Sequence, residues 1–254
     1  MIAVVALIQL GAVLVLQHLL AQRYAALALA KYPVVLGLAA AGALLPKPTR
    51  EHVLLSRALV FLAVGDFFLI FLGGLPGFSP EDYSAKIGGM LGFGVAYAHL
   101  IAAFRRGARA SGLSVPALLA VLAIETPIAI VCLWYGRGGM VALSLPFAAL
   151  VGALAYHGMM TSRRGYFRPE IARRFAVAGC LMLLSDMGVG LGFFHPALHR
   201  NVPLLGNAIW ITYIPAWALI AATMAQTVLT IEVASNSPLP PTLTLRKRRE
   251  AVSG

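Results

Sequence analysis

The chain has 254 residues, of which 60% are hydrophobic and only 11% are charged. Soluble domains carry about 25% charged residues, so this composition excludes an ordinary soluble protein and indicates an integral membrane protein. In a membrane protein, the net charge of +11 is explained by basic loops next to the membrane. We therefore expect no nucleic-acid partner.

Apolar stretches recur along the whole chain and do not alternate with polar residues, which predicts membrane-spanning helices rather than strands. We therefore predict an all-α, polytopic transmembrane helix bundle of about eight helices. The first apolar stretch lacks a basic leader and a clear cleavage site, so it is interpreted as a span and not a signal peptide. The predicted helices cover residues 2–20, 31–45, 57–74, 87–104, 115–135, 140–160, 175–194 and 207–229.

These helices form one predicted transmembrane domain, residues 1–232. Residues 233–254 are polar, proline-containing and basic, which is typical of a disordered tail.

Basic residues concentrate at one end of the predicted helices, in the loops after helices two, four and six and in the tail. Cytoplasmic loops are enriched in Lys and Arg, so both termini are expected in the cytoplasm, and a bacterial inner membrane is the expected location. The opposite end of the helices has only Arg23, Lys31, Lys86, Arg137 and Arg200.

Two of the three aspartates in the chain lie inside apolar stretches. Asp66 follows Gly65, and Asp186 follows Ser185. An ionised carboxylate in hydrocarbon costs at least about 2.5–3.5 kcal/mol. Each aspartate must therefore be paired with another polar group, face a water-filled cavity, or have a function. Each small preceding residue would let another helix or a substrate approach closely. Both helices start on the same side, four helices apart, which would suit a parallel internal repeat.

Two further polar groups are candidates for chemistry. Glu125 precedes Thr126-Pro127, where it could satisfy backbone groups freed by the proline or take part in catalysis. His99 lies in the fourth predicted helix, where it is either a core residue or a proton carrier.

Three residues could contact a lipid headgroup. Lys31 opens the second predicted helix and either extends to the membrane surface or binds a phosphate. Trp210 and Tyr213 open the last helix, where they belong to an aromatic belt or line a headgroup pocket.

The two cysteines, Cys132 and Cys180, do not form a metal or disulfide pattern. The sequence also has no serine-hydrolase elbow, zinc-protease motif or phosphate-binding loop. We therefore expect no metal and no cofactor.

Three other functions are considered for a membrane protein with paired carboxylates. A proton-coupled transporter of a small molecule or lipid would use buried acids and glycine-broken helices. An intramembrane aspartyl protease would also use two aspartates, but Ala63 stands where the first glycine of its motif is expected. A scaffold gives no reason for two buried aspartates.

The order and spacing of several short motifs resemble the YhhN-like lysoplasmalogenases, small polytopic membrane proteins. The matching stretches are Lys31-Tyr32-Pro33, the helix around Gly65-Asp66, Phe93–Phe104 with Ala98-His99, Ala178-Gly179 to Ser185-Asp186, and Tyr213 to Ala216.

This resemblance implies hydrolysis of the vinyl ether bond of lysoplasmalogen, giving a fatty aldehyde and glycerophospho-ethanolamine or -choline. Such chemistry needs one protonated and one ionised carboxyl group, a pair that Asp66 and Asp186 would supply. Lys31 would then contact the phosphate, and His99 would tune or relay protons. The expected partners are a lysophospholipid substrate and membrane lipid, and the oligomeric state stays open.

Overall fold

The computed structural model describes residues 2–20, 24–72, 75, 83–106, 112–136, 138–199 and 202–235. Within these residues every regular element is helical, which confirms the predicted all-α bundle. The helices are α1 (Ile2–Leu19), α2 (Tyr24–Leu44), α3 (Arg50–Asp66), α4 (Tyr83–Phe104), α5 (Val115–Tyr135), α6 (Gly139–Arg164), α7 (Pro169–Phe194), the short α8 (Pro196–His199) and α9 (Val202–Ser235).

Six of the described helical stretches are long and apolar enough to cross a membrane, and two shorter apolar helices cover residues 7–19 and 29–44. The chain is therefore an integral, multi-pass membrane protein. Most of the predicted tail lies outside the described residues, and α9 extends three residues beyond the predicted domain end at residue 232.

Several helices are longer than the apolar stretches that predicted them. Helix α2 starts at Tyr24 rather than Lys31, because the alanine-rich segment before Lys31 favours helix and continues it. Helix α6 continues past Met160 to Arg164, and it ends at Gly165, whose φ of 63° is left-handed. Helix α7 begins at Pro169, a residue suited to a first helical turn. The end of α6 and the start of α7 are therefore set by residues suited to helix ends, and not by the point where the apolar residues stop.

A π-helical segment, Phe67–Phe71, directly follows Asp66 and extends α3. Its wider turn interrupts the regular α-helical hydrogen bonds, and such insertions occur frequently at functional sites. The Tyr32 ring on α2 packs against this segment, 5.1 Å from Phe71 between ring centroids. The chain therefore changes helical geometry immediately after its buried carboxylate.

Seven of the long helices form a ring. Neighbouring pairs are α2 with α3, α3 with α4, α4 with α6, α6 with α7, α7 with α9, α9 with α1, and α1 with α2. Helix α5 lies outside this ring against α6 and α7. Its outer face exposes Leu119, Leu133 and Trp134, apolar side chains suited to contact with lipid.

Glycines bring two helix pairs into backbone contact. A Cβ at Gly92 of α4 would lie 2.6 Å from the Gly65 nitrogen of α3, so only glycine fits at this crossing beside Asp66. A Cβ at Gly158 of α6 would lie 2.8 Å from the Phe175 carbonyl oxygen of α7. Small residues at such crossings allow close packing in membranes, and the first crossing holds α3 against α4 next to Asp66.

Candidate active site

A cavity of about 350 Å³ lies within the bundle, a size typical of small-molecule sites. Each of the nine helices in the described part of the chain contributes to its wall, and most of the lining is apolar. Side chains from the successive helices include Gln17, Lys31, Asp66, Phe93, Glu125, Phe147, Asp186, Leu198 and Tyr213.

Asp66 lines this cavity from the last turn of α3 and is only 3% exposed. The Tyr213 hydroxyl, on α9, donates a hydrogen bond to Asp66 Oδ2. Buried polar groups normally require such a partner. The carboxyl group of Asp66 is therefore held between two helices that are far apart in sequence.

Asp186 lines the same cavity from α7. The Tyr97 hydroxyl, on α4, donates a hydrogen bond to Asp186 Oδ2 at 2.6 Å. The Tyr97 ring is 1% exposed. Both aspartates are therefore anchored in the same way, each by a buried tyrosine from another helix.

The two Asp–Tyr pairs share one aromatic cluster. The Phe93 ring centroid lies 6.0 Å from that of Tyr97 and 6.3 Å from that of Tyr213. The Trp217 ring contacts the same two tyrosines, at 6.4 Å from each. This cluster (Phe93, Tyr97, Tyr213 and Trp217) fixes both hydroxyl donors, so that both carboxyl groups face a single cavity.

Lys31 also lines the cavity and is 8% exposed. Its Nζ lies 4.9 Å from the centroid of the Trp210 ring, within the range of a cation–π contact. The structure thus places a positive charge and an aromatic face, both candidates from sequence, in the lining of the same cavity as the two aspartates.

Two more predicted residues line this cavity. The Glu125 carboxylate reaches it from the outer helix α5 and packs against the backbone of Gly152 on α6, where a Cβ would lie 2.5 Å from Glu125 Cδ. Helix α5 continues through Pro127. Ser185 is 1% exposed, and its hydroxyl has no hydrogen-bond partner in the described part of the chain.

His99 is not brought to this site. It lies outside the cavity lining, its Nδ1 is 2.7 Å from the Val95 carbonyl oxygen, and its ring stacks on Phe61 with centroids 5.7 Å apart. Tyr97, two positions earlier on the same helix, instead donates its hydroxyl hydrogen bond to Asp186, which lines the cavity. In the described part of the chain no contact supports a role of His99 in proton transfer, and that role stays a prediction.

Sequence reasoning missed Tyr97, Phe93, Trp217 and Lys86, all of which line or support the cavity. One signal for Tyr97 was available, because a tyrosine in the middle of an apolar span needs a partner for its hydroxyl. Phe93, by contrast, looks like any apolar residue of a span. Within the described residues no group of three or more His, Cys, Asp or Glu side chains could hold a metal ion.

The fold and this cavity define a class: an integral, multi-pass α-helical membrane protein with two tyrosine-bonded carboxyl groups facing one largely apolar cavity. The chain belongs to the YhhN family, whose family model matches residues 5–224. This confirms the family resemblance drawn from the motifs. No curated protein and no solved structure matches the chain.

Proposed function

We propose that the protein hydrolyses the vinyl ether bond of lysoplasmalogen, releasing a fatty aldehyde and glycerophospho-ethanolamine or -choline. The observation that carries the proposal is the pair Asp66 and Asp186 on one largely apolar cavity. Membership of the YhhN family supports this choice among reactions that use two carboxyl groups.

The reaction requires two carboxyl groups in different protonation states. In the first step one carboxyl group donates its proton to the alkenyl carbon that is not bonded to oxygen. The electrons of the double bond form the new C–H bond, and the positive charge is shared by the other alkenyl carbon and the ether oxygen. The second, ionised carboxylate stabilises this cation across the cavity.

Water completes the reaction. Its oxygen adds to the cationic carbon while the ionised carboxylate accepts a water proton. The resulting hemiacetal breaks its bond to the glycerol oxygen, which takes a proton as the hemiacetal hydroxyl loses one. One water is consumed, and the products are the aldehyde and the glycerophospho compound. The proposal does not assign acid and base between Asp66 and Asp186.

The cavity offers complementary surroundings for such a substrate. Lys31 supplies a cation for the phosphate, and Trp210 and Tyr213 form the adjoining wall. Apolar side chains such as Phe147 and Ile128 surround the remaining space and suit the alkenyl chain. His99 is given no part in this scheme.

We also propose that both termini are cytoplasmic and that the protein resides in a bacterial inner membrane. The clustering of Arg and Lys at one end of the helices supports this orientation.

Aldehyde release from lysoplasmalogen by the purified protein tests the reaction. Asp66→Asn and Asp186→Asn keep the side-chain shape but remove the acid, so each should abolish turnover while the protein remains folded in detergent. An active Asn variant would refute the proposed site. No release by a folded wild type with either headgroup would favour the alternative, a proton-coupled transporter, which uptake of an unchanged substrate into proteoliposomes would then reveal.

A further inference from the structure

The cavity occupies only one half of the bundle along the helix axes. It is lined by Asp66 at the end of α3, by the π-helical segment that follows it, and by the end of α7 (Leu183 to Phe194). On the helices that run the opposite way, its lining comes from early residues, such as Lys86 of α4 and Ser144 of α6. All these segments lie at the same end of the bundle, opposite the arginine-rich loops.

The arginine-rich half is closed by packing and polar contacts. The Phe104 and Phe175 rings lie 4.7 Å apart, and the Phe175 backbone also packs against Gly158 where α6 and α7 cross. Arg164 donates a hydrogen bond to the Phe104 carbonyl oxygen at 2.6 Å, and Arg106 pairs with Glu51 at 2.7 Å. In the described part of the chain, the cavity that holds the aspartates therefore lies toward the other end of the bundle.

A second lysine stands at that end. Lys86, in the first turn of α4, lines the cavity, and its Nζ lies 5.0 Å from the centroid of the Phe193 ring on α7. A lysine that only anchored its helix at the membrane surface would extend away from the bundle. Lys86 instead reaches across the cavity to a ring on another helix.

Lys31 and Lys86 therefore approach one cavity from different helices, each over an aromatic face, Trp210 and Phe193 respectively. In the described part of the chain neither lysine forms a salt bridge with a carboxylate. Two cations and two acids that line one cavity suit a ligand with an anionic group at one end and its reacting bond at the other.

We propose that Lys31 and Lys86 form an anion-binding mouth, and that this mouth opens on the membrane face opposite the arginine-rich loops. Resting on the proposed function, its ligand is the phosphate diester of a lysophospholipid. The headgroup arrives from that face, and the glycerophospho product leaves on it. Lys86 is thereby a headgroup-binding residue that acts on affinity and not on the bond cleaved.

Binding of a saturated 1-O-alkyl lysophospholipid, which cannot be hydrolysed at a vinyl ether, tests the mouth without turnover. Lys86→Gln should weaken this binding about tenfold, the effect of losing one charge-assisted contact, and Lys86→Arg should largely restore it. Lys47→Gln is the matched control, because Lys47 is exposed at the other end and bonds only to carbonyl oxygens there. Neutral 1-O-alkylglycerol should bind wild type and Lys86→Gln equally.

An unchanged affinity in Lys86→Gln, or an equal loss with the neutral alkylglycerol, would overturn the anion-binding role. Inorganic phosphate binding as tightly as the lysolipid would assign the mouth to a free anion and overturn the lipid assignment. Because the ligand is never cleaved, these results are independent of whether the protein proves to be a hydrolase.

The sidedness is tested by thiol labelling of intact spheroplasts and inverted vesicles with a membrane-impermeant maleimide. In a chain carrying Cys132→Ala and Cys180→Ala, Leu198→Cys reports the mouth, since Leu198 lines the cavity on α8. Ser162→Cys, an exposed position at the arginine-rich end, is the matched control. Labelling of Leu198→Cys in spheroplasts and of Ser162→Cys only in inverted vesicles is expected. The reverse pattern would refute the assigned face.

Discussion

Removing one hydroxyl group from the aromatic cluster gives the sharpest test of how the site is held. Tyr97→Phe retains the ring that packs against Phe93, Phe147 and Trp217, but it deletes the 2.6 Å hydrogen bond to Asp186. A hydrogen bond to a charged group contributes about 1.5–3 kcal/mol. Because each 1.36 kcal/mol corresponds to tenfold in rate, the loss of this support for the carboxyl group should slow the reaction by about 10- to 160-fold.

The assay is kcat for aldehyde release, measured with thermal unfolding of the same preparations in detergent. Tyr156→Phe is the matched control, because the Tyr156 hydroxyl accepts a hydrogen bond from the Ser114 amide at 3.1 Å and Tyr156 does not line the cavity. Tyr97→Phe should therefore lose turnover that Tyr156→Phe retains. If the two variants have equal kcat and equal unfolding temperatures, the bond to Asp186 does not serve the reaction and the reasoning fails.

Two further variants test the packing and the sequence-based candidates. Gly92→Ala would place a Cβ 2.6 Å from the Gly65 nitrogen, so it should destabilise the protein by about 1–3 kcal/mol. The control is Gly94→Ala, whose Cβ would make only an ordinary contact at 3.8 Å and which should unfold like wild type. Equal unfolding of the two variants would contradict the close contact of α3 and α4 at Gly92. His99→Ala distinguishes a packing role of His99 from a proton relay. Its stacking on Phe61 predicts a change in kcat of less than about threefold, as for a substitution outside a site. A large loss of turnover would instead support the proton relay predicted from sequence.

The architecture could be predicted from sequence because the membrane imposes strong local rules. Continuously apolar stretches must be helical, and this rule alone placed the helix that contains Asp66 and the one that contains Asp186. A charged group inside such a stretch is rare enough to mark a site, so both aspartates could be selected before any contact was known. The helix ends were predicted less well, because Gly165 and Pro169 act through backbone conformation rather than hydropathy.

The partners of the aspartates could not be predicted, because they depend on which helices become neighbours. Tyr97 and Tyr213 are separated from the carboxyl groups they bond by 89 and 147 residues respectively. Apolar helices carry little information on their packing order, so no local pattern identifies these pairs. The π-helical segment after Asp66 was missed for a related reason, since residues 67–71 are aromatic or aliphatic and look like any other span.

The hydrogen bonds connect the two halves of the chain in a crossed manner. Asp66 in the first half receives its bond from Tyr213 in the second, and Asp186 in the second half receives its bond from Tyr97 in the first. Neither half can therefore assemble a supported carboxyl group alone. The shared ring of Trp217 contacts both tyrosines, so any change that separates the halves removes both donors together. The two carboxyl groups are thus one structural unit, and a substitution at either pair should affect the chemistry of the other.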